Sequence, residues 1–252
     1  EYFKRHEVLY ESWGEITNIS GKWEFMVPYF GLQPPLQPYA RATRGYGHAN
    51  FAADFDGIYR RQPLVAKSSV LLEEIRLNDL TIDIPLDRDN FERLEWIDRS
   101  DTHHHITYPL TERVIESLIS DMQKRGVQRL EDTDSDGEPD DAYYVVRKYQ
   151  DHFIPSITLS LALQYMNKEL KDIEVVLGKH ILIDKPELFD AELNIWVPYT
   201  VVTAAAVVDE EGQIVSEEVT RDVPEIKIPI DNNGQMLVNF MGPRSFAAAG
   251  GN

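Results

Sequence analysis

Apolar and polar positions change period several times along this chain, and each change marks an element. After Thr111, the residues Val114, Ile115, Leu118, Ile119 and Met122 recur at the spacing of an amphipathic helix, and Gly126 supplies its stop. Pro155 followed by SITLSLALQYMNKEL predicts a second helix, rich in good helix formers, with Ile157, Leu159, Leu161, Ala162 and Tyr165 mostly buried. Pro34, Pro35 and Pro38 lead into a short helix over Tyr39–Arg44, which Gly45 and Gly47 end. Ile58–Val65 reads as a strand whose Pro63 places its end at a sheet margin. Ile82, Ile84 and Leu86 alternate over a short strand, Phe91–Ile97 reads as a short helix, and Ala142–Val146 as another strand.

The C-terminal half is dominated by two-residue alternation. IEVVLGKHILI predicts a hairpin around Leu177-Gly178-Lys179, and Val201–Val208 with Gln213–Val219 predicts a second around DEEG. In EIKIPIDNNGQMLVNFMG, Ile226, Ile228 and Ile230 alternate before a turn, and Met236, Val238 and Phe240 after it, which predicts a third. Trp13, Trp23, Phe25, Tyr29 and Phe30 read as packing residues. With no internal repeat and no long linker, the pattern predicts one α/β or α+β domain over 1–252. It would have a mixed β-sheet core with packed helices, a hairpin-rich C-terminal half and an embedded insertion.

Charge narrows the partners. Asp and Glu number 43 against 25 Lys and Arg, a formal charge of −18, so the surface repels nucleic-acid backbones and anionic membranes. The absence of cysteine excludes disulfides, iron–sulfur clusters and thiol nucleophiles. No apolar run approaches a membrane span. The first residues do not form a signal peptide, and the start at Glu1 suggests a piece of a longer protein.

Two Asp-rich stretches invite chemistry. In DFDGIYRRQPLVA (54–66), Asp54 can accept backbone N–H bonds, Gly57 can take positive φ and Ile58 then enters a strand, which makes the stretch a turn. Arg60 and Arg61 would point to opposite faces, one pairing with Asp54 or Asp56 and the other meeting solvent; both are candidates for gripping an anionic ligand. EDTDSDGEPDD (131–141) has another spacing. Counting Asp132 as the first position, Asp134, Asp136, Glu138 and Asp140 occupy the third, fifth, seventh and ninth, with Gly137 at the sixth. That is the beginning of an EF-hand-type Ca²⁺ loop and points to structural calcium, although Tyr143 stands where a bidentate acid would close the shell. The competing reading is a solvated acidic loop.

Other candidates are weaker. His103, His104 and His105 are adjacent, so their side chains diverge, and no HExxH helix is present. No GxSxG elbow, phosphate loop or dinucleotide turn occurs. Lys179, His180, Asp184 and Asp190 have nothing to fix them in a pocket. No catalytic residue is assigned.

PPLQPYARATRGYGHANFAADFDGIYRRQPLV resembles the middle of a CHASE2 domain, the extracytoplasmic sensory module of bacterial membrane receptors. The matching residues are Pro34, Pro35, Gly47, Asn50, Asp54, Asp56, Gly57, Arg60, Pro63 and Leu64. PSITLSLALQYMN resembles a later helix of that family. IPIDNNGQMLVNFMGPRSF resembles its closing hairpin through Ile230, Asp231, Gly234, Asn239, Gly242, Pro243 and Phe246. The family's first strand and helix have no counterpart before residue 30, and 71–141 reads as an insertion. The resemblance implies a non-catalytic sensor of an unknown small-molecule or protein signal, in a membrane-anchored, homodimeric receptor. Its cytoplasmic output would be an adenylate or guanylate cyclase, a kinase or a diguanylate cyclase, with a nucleotide cyclase first. The rival expectations are a secreted calcium-stabilised hydrolase and a calcium-dependent adhesion or scaffold module.

Overall fold

The computed structural model describes residues 15–29, 36–42, 45–50, 56–131, 141–208 and 214–238. It shows a mixed α/β fold with few helices and several small antiparallel sheets towards the C-terminal half. The strands of the two larger sheets are β1 (Ile19–Ser20), β2 (Pro28–Tyr29), β3 (Val65–Arg76), β4 (Glu92–Ile97), β5 (His103–Ile106), β6 (Val145–Pro155), β7 (Ile173–Val176), β8 (His180–Asp184) and β9 (Glu225–Pro229). The described helices are α1 (Gln37–Ala42), α2 (Glu112–Arg125) and α3 (Ile157–Tyr165), besides short 3₁₀ turns.

The chain divides into two compact units. The first comprises Glu1–Met26, Gln33–Ala66 and Phe153–Asn252, and the second Val27–Leu32 and Lys67–His152. The segment 71–141, read as an insertion, falls within the second.

In the first unit, β7 and β8 form the predicted hairpin, with Val176 opposite His180 and Gly178 at φ +76°. Parallel β1 and antiparallel β9 complete the sheet, in the order β1-β7-β8-β9. Ile173, Val175, Ile181 and Ile183 are fully buried, as two-residue alternation on one packed face requires. The second hairpin also forms, Thr200–Ala204 pairing with Val219–Asp222 and Val207–Val208 with Ile214–Ser216. The third does not. Its turn exists, but β9 pairs with β8, while Gln235–Leu237 pairs with Arg61–Pro63. Both arms find longer-range partners instead of each other.

α3 begins where expected, with Ser156 Oγ accepting the Leu159 N–H at 3.1 Å. Its orientation differs from expectation. Leu159 and Leu163 are buried, whereas Ile157, Leu161 and Tyr165 are exposed. A helix apolar on both faces carries no sequence signal of which face turns inward. Among the early aromatics, Trp23 packs edge-on to Phe153 and is buried, but Phe25 is exposed.

The second unit is built on a five-stranded sheet in the order β2-β3-β6-β4-β5. The predicted strand at Ile82–Leu86 is instead turn and irregular chain, and Phe91–Ile97 is no helix: Phe91 sits at φ +54° and β4 follows. β4 is antiparallel to both β5 and β6, so its inter-strand bonds replace the helical ones. α2 matches its pattern, capped by Thr111 and ended by Gly126 in the left-handed region at φ +62°. Leu118 and Met122 join Leu94, Trp96, Ile106 and Val146 in one apolar cluster.

Candidate functional site

Alternation on β4 sends Leu94 and Trp96 to one face of the sheet and Arg93 and Glu95 to the other. All four are buried. Arg93 is 2% exposed, and its guanidinium organises the charged face. Arg93 Nε donates to Asp151 Oδ2 at 2.7 Å, Nη2 donates to Ser69 Oγ at 3.1 Å, and Nη1 to Glu95 Oε2. Ser69 Oγ donates in turn to Asp151 Oδ1 at 2.5 Å. Lys67 Nζ lies 3.7 Å from Asp151 Oδ2, and His103 Nδ1 lies 2.6 Å from Glu95 Oε1 at the partly exposed end. The Tyr149 ring sits beneath Arg93, 5.0 Å from ring centroid to Cζ.

Electrostatics here is a contest between burial and pairing. Burial pushes the Lys67 amine down to about 8, against the attraction of Asp151. Arg93 is desolvated too, but Asp151 and Glu95 outweigh that, and its guanidinium is held more firmly charged than usual. Burial and the nearby Glu95 carboxylate push the Tyr149 phenol up. With Lys67 and Arg93 against Glu95 and Asp151, the row is formally neutral. Losing one member of such a buried network costs far more than its presence contributes.

A smaller polar group lies around Asp98. Asp98 accepts the Ser100 and Thr102 N–H groups at 2.8 and 3.1 Å, and its Oδ2 meets His104 Nε2 and Arg125 Nη1, both at 2.9 Å. The His104 contact, with the two backbone bonds, holds the Asp98 carboxyl far below the usual carboxylate range. His104 stacks on Trp96 at 4.2 Å, whereas His103 points to Glu95. The consecutive histidines therefore diverge, as a strand requires.

In the first unit, the segments around His48, Leu64, Pro155 and Gly234 meet in one junction. The N–H groups of Leu64 and Val65 donate to the Gly234 carbonyl at 2.9 and 3.2 Å, and Ser156 N donates to the Leu64 carbonyl at 2.7 Å. His48 N donates to the Pro155 carbonyl at 2.9 Å, and its own carbonyl accepts Ile157 N at 3.1 Å. A Cβ on Gly47 would fall 2.3 Å from Ile157 N, so only glycine fits there. Asp231 Oδ1 accepts the Asn233 and Gln235 N–H groups at 2.8 and 2.9 Å, which shapes the turn before Gln235–Leu237. Burial pushes the His48 imidazole down to about 4, and its Nε2 has no hydrogen-bond partner among the described residues.

The two arginine candidates belong to this unit's surface. Arg60 makes a two-pronged pair with Asp56, both contacts 2.8 Å, and Asp56 also accepts Ile58 N at 3.1 Å. Gly57 follows at φ +78°, completing the turn. Arg61 Nη1 lies 3.6 Å from Asp231 Oδ2. Both arginines thus have carboxylate neighbours. Asp54 lies outside the described residues, as do the calcium candidates Asp132, Asp134, Asp136, Glu138 and Asp140. The strands Arg129–Glu131 and Asp141–Tyr143, which flank the acidic loop, pair antiparallel with Glu131 opposite Asp141. Among the described residues, no group of three or more His, Asp and Glu is placed to hold a metal ion.

Sequence reading missed Lys67, Ser69, Arg93, Glu95 and Asp151. The available signal was the alternation in ERLEWI, which a helical reading concealed. Lys179 and His180 lie at the β7–β8 turn, while Asp190 Oδ1 accepts the Glu192 and Leu193 N–H groups and shapes another turn. No family model matches the chain, and no curated protein or solved structure matches it either.

Proposed function

We propose that this chain is the extracytoplasmic sensory domain of a membrane-anchored signalling receptor of the CHASE2 kind. It is not itself catalytic. It passes a small-molecule or protein signal to a cytoplasmic output, first a nucleotide cyclase, by shifting the population between two arrangements. One observation carries the reading: three distant stretches that resemble the family in order meet in one junction, where Leu64 bonds Gly234, His48 bonds Pro155 and Gly47 packs against the Ile157 backbone. Chance matches have no reason to share a structural task. The acidic loop is assigned a structural calcium ion on its spacing alone.

The test is the parent gene across both ends of this chain, combined with a periplasmic-reporter fusion to the full-length product. The expected result is apolar helices on both sides, a cyclase or kinase beyond them, and a reporter active only outside the cytoplasm. A cleaved leader before Glu1 with a stop codon after Asn252 would overturn it and bring forward the hydrolase and adhesion readings.

A further inference from the structure

We infer that the outer face of α3, continued onto the hairpin Glu187–Pro198, is the surface through which two copies of this chain associate. This deepens the sensory reading, whose family resemblance implies a homodimer, by naming the surface, and it is argued from surface chemistry. Ile157, Leu161 and Tyr165 lie four residues apart along one face and are 48, 59 and 67% exposed, while Leu159 and Leu163 fill the buried face. A helix apolar on both sides expects a second cover. A second exposed apolar group is tied to the end of this helix. Glu187 N donates to the Met166 carbonyl at 3.1 Å and Asn167 Nδ2 to Glu187 Oε2 at 2.6 Å, anchoring the hairpin to the end of α3. That hairpin exposes Phe189, Leu193 and Trp196, with the two aromatic rings edge-on at 5.3 Å.

Three arguments select a second copy as the occupant. The first is charge. The chain carries −18, so two copies repel wherever acids face each other, yet α3 from Ile157 to Tyr165 has no charged side chain. The second is symmetry. The stripe is centred on Leu161, so antiparallel pairing about a two-fold axis sets Leu161 against Leu161 of the second copy and Ile157 against its Tyr165. The third is area. At about 200 Å² for a large side chain, the helix stripe exposes roughly 350 Å² and the hairpin residues roughly 300 Å². Their sum exceeds the usual apolar patch of a monomer and approaches the roughly 800 Å² per partner of a specific interface. Glu187, Asp190 and Glu192 on the hairpin keep the rim acidic, so association should tighten as salt screens them.

Sedimentation velocity on the full chain across the micromolar range, at low and high salt, tests this. Wild type is expected to dimerise, more tightly at high salt. Leu161→Glu should weaken association about 100-fold or more, because the change occurs twice in a two-fold interface, and Leu161→Ala about tenfold. Ile82→Glu, at an exposed residue of the second unit, should leave association unchanged. Circular dichroism verifies folding, and the alanine variant preserves helix propensity should the glutamate variant unfold. A monomeric wild type, a dimer indifferent to both Leu161 variants, or one that salt dissociates would overturn the assignment.

Discussion

The charged row on the sheet of the second unit gives the sharpest quantitative test. Arg93→Met keeps most of the side-chain volume and removes every guanidinium bond at once. Breaking a buried ion pair by deleting one partner costs about 3–5 kcal/mol. Asp151 keeps Ser69 at 2.5 Å and Lys67 at 3.7 Å, and Glu95 keeps His103 at 2.6 Å, so the loss should fall near the lower limit, about 3 kcal/mol. Most of that loss comes from carboxylates left under-compensated in a poorly solvated site. Glu95→Gln should therefore cost at least about 1 kcal/mol less in the Arg93→Met background than in wild type. The assay is hydrogen exchange of peptides covering β4, β5 and β6, measured against urea for the four proteins of the cycle. An Arg93→Met cost below about 1 kcal/mol, or strict additivity of the pair, would refute the view that Arg93 is the organising charge.

Further outcomes follow from other sites. Lys67 is held at about 8 in the folded protein, below its unfolded value of 10.5, so the unfolded chain binds more protons between those values. Stability of the second unit should accordingly gain about 3 kcal/mol from this group as pH rises through that window, and Lys67→Met should remove the gain in urea titrations at pH 8 and 10. Gly47→Ala places a methyl group against the backbone at the start of α3 and should cost about 2–3 kcal/mol, visible as a lower thermal midpoint. Calcium at about a hundred times its dissociation constant should stabilise the protein by about 2.7 kcal/mol, and Asp134→Asn with Asp136→Asn should abolish that shift in calorimetry.

Local information was enough for α2, for the start of α3 and for two hairpins. Thr111, Gly126, Ser156 and Gly178 act on backbone groups only a few residues away, so their effects are written in short stretches of sequence. Asp56, Gly57 and Arg60 likewise build their turn from immediate neighbours. Tertiary structure decided the rest. ERLEWI became a strand because β5 and β6 supply its hydrogen bonds, and pairing then drew Arg93 and Glu95 into one buried row with Lys67, Ser69 and Asp151. Nothing near Lys67 in sequence announces Asp151; only neighbouring strands bring them together. The same limit applied to the closing motif, whose arms chose β8 and Arg61–Pro63 over each other, and to α3, whose two apolar faces look alike until packing selects one. Caps and turns are short-range electrostatics, whereas a sheet partner, a buried charge network and the inward face of an apolar helix are properties of the assembled chain.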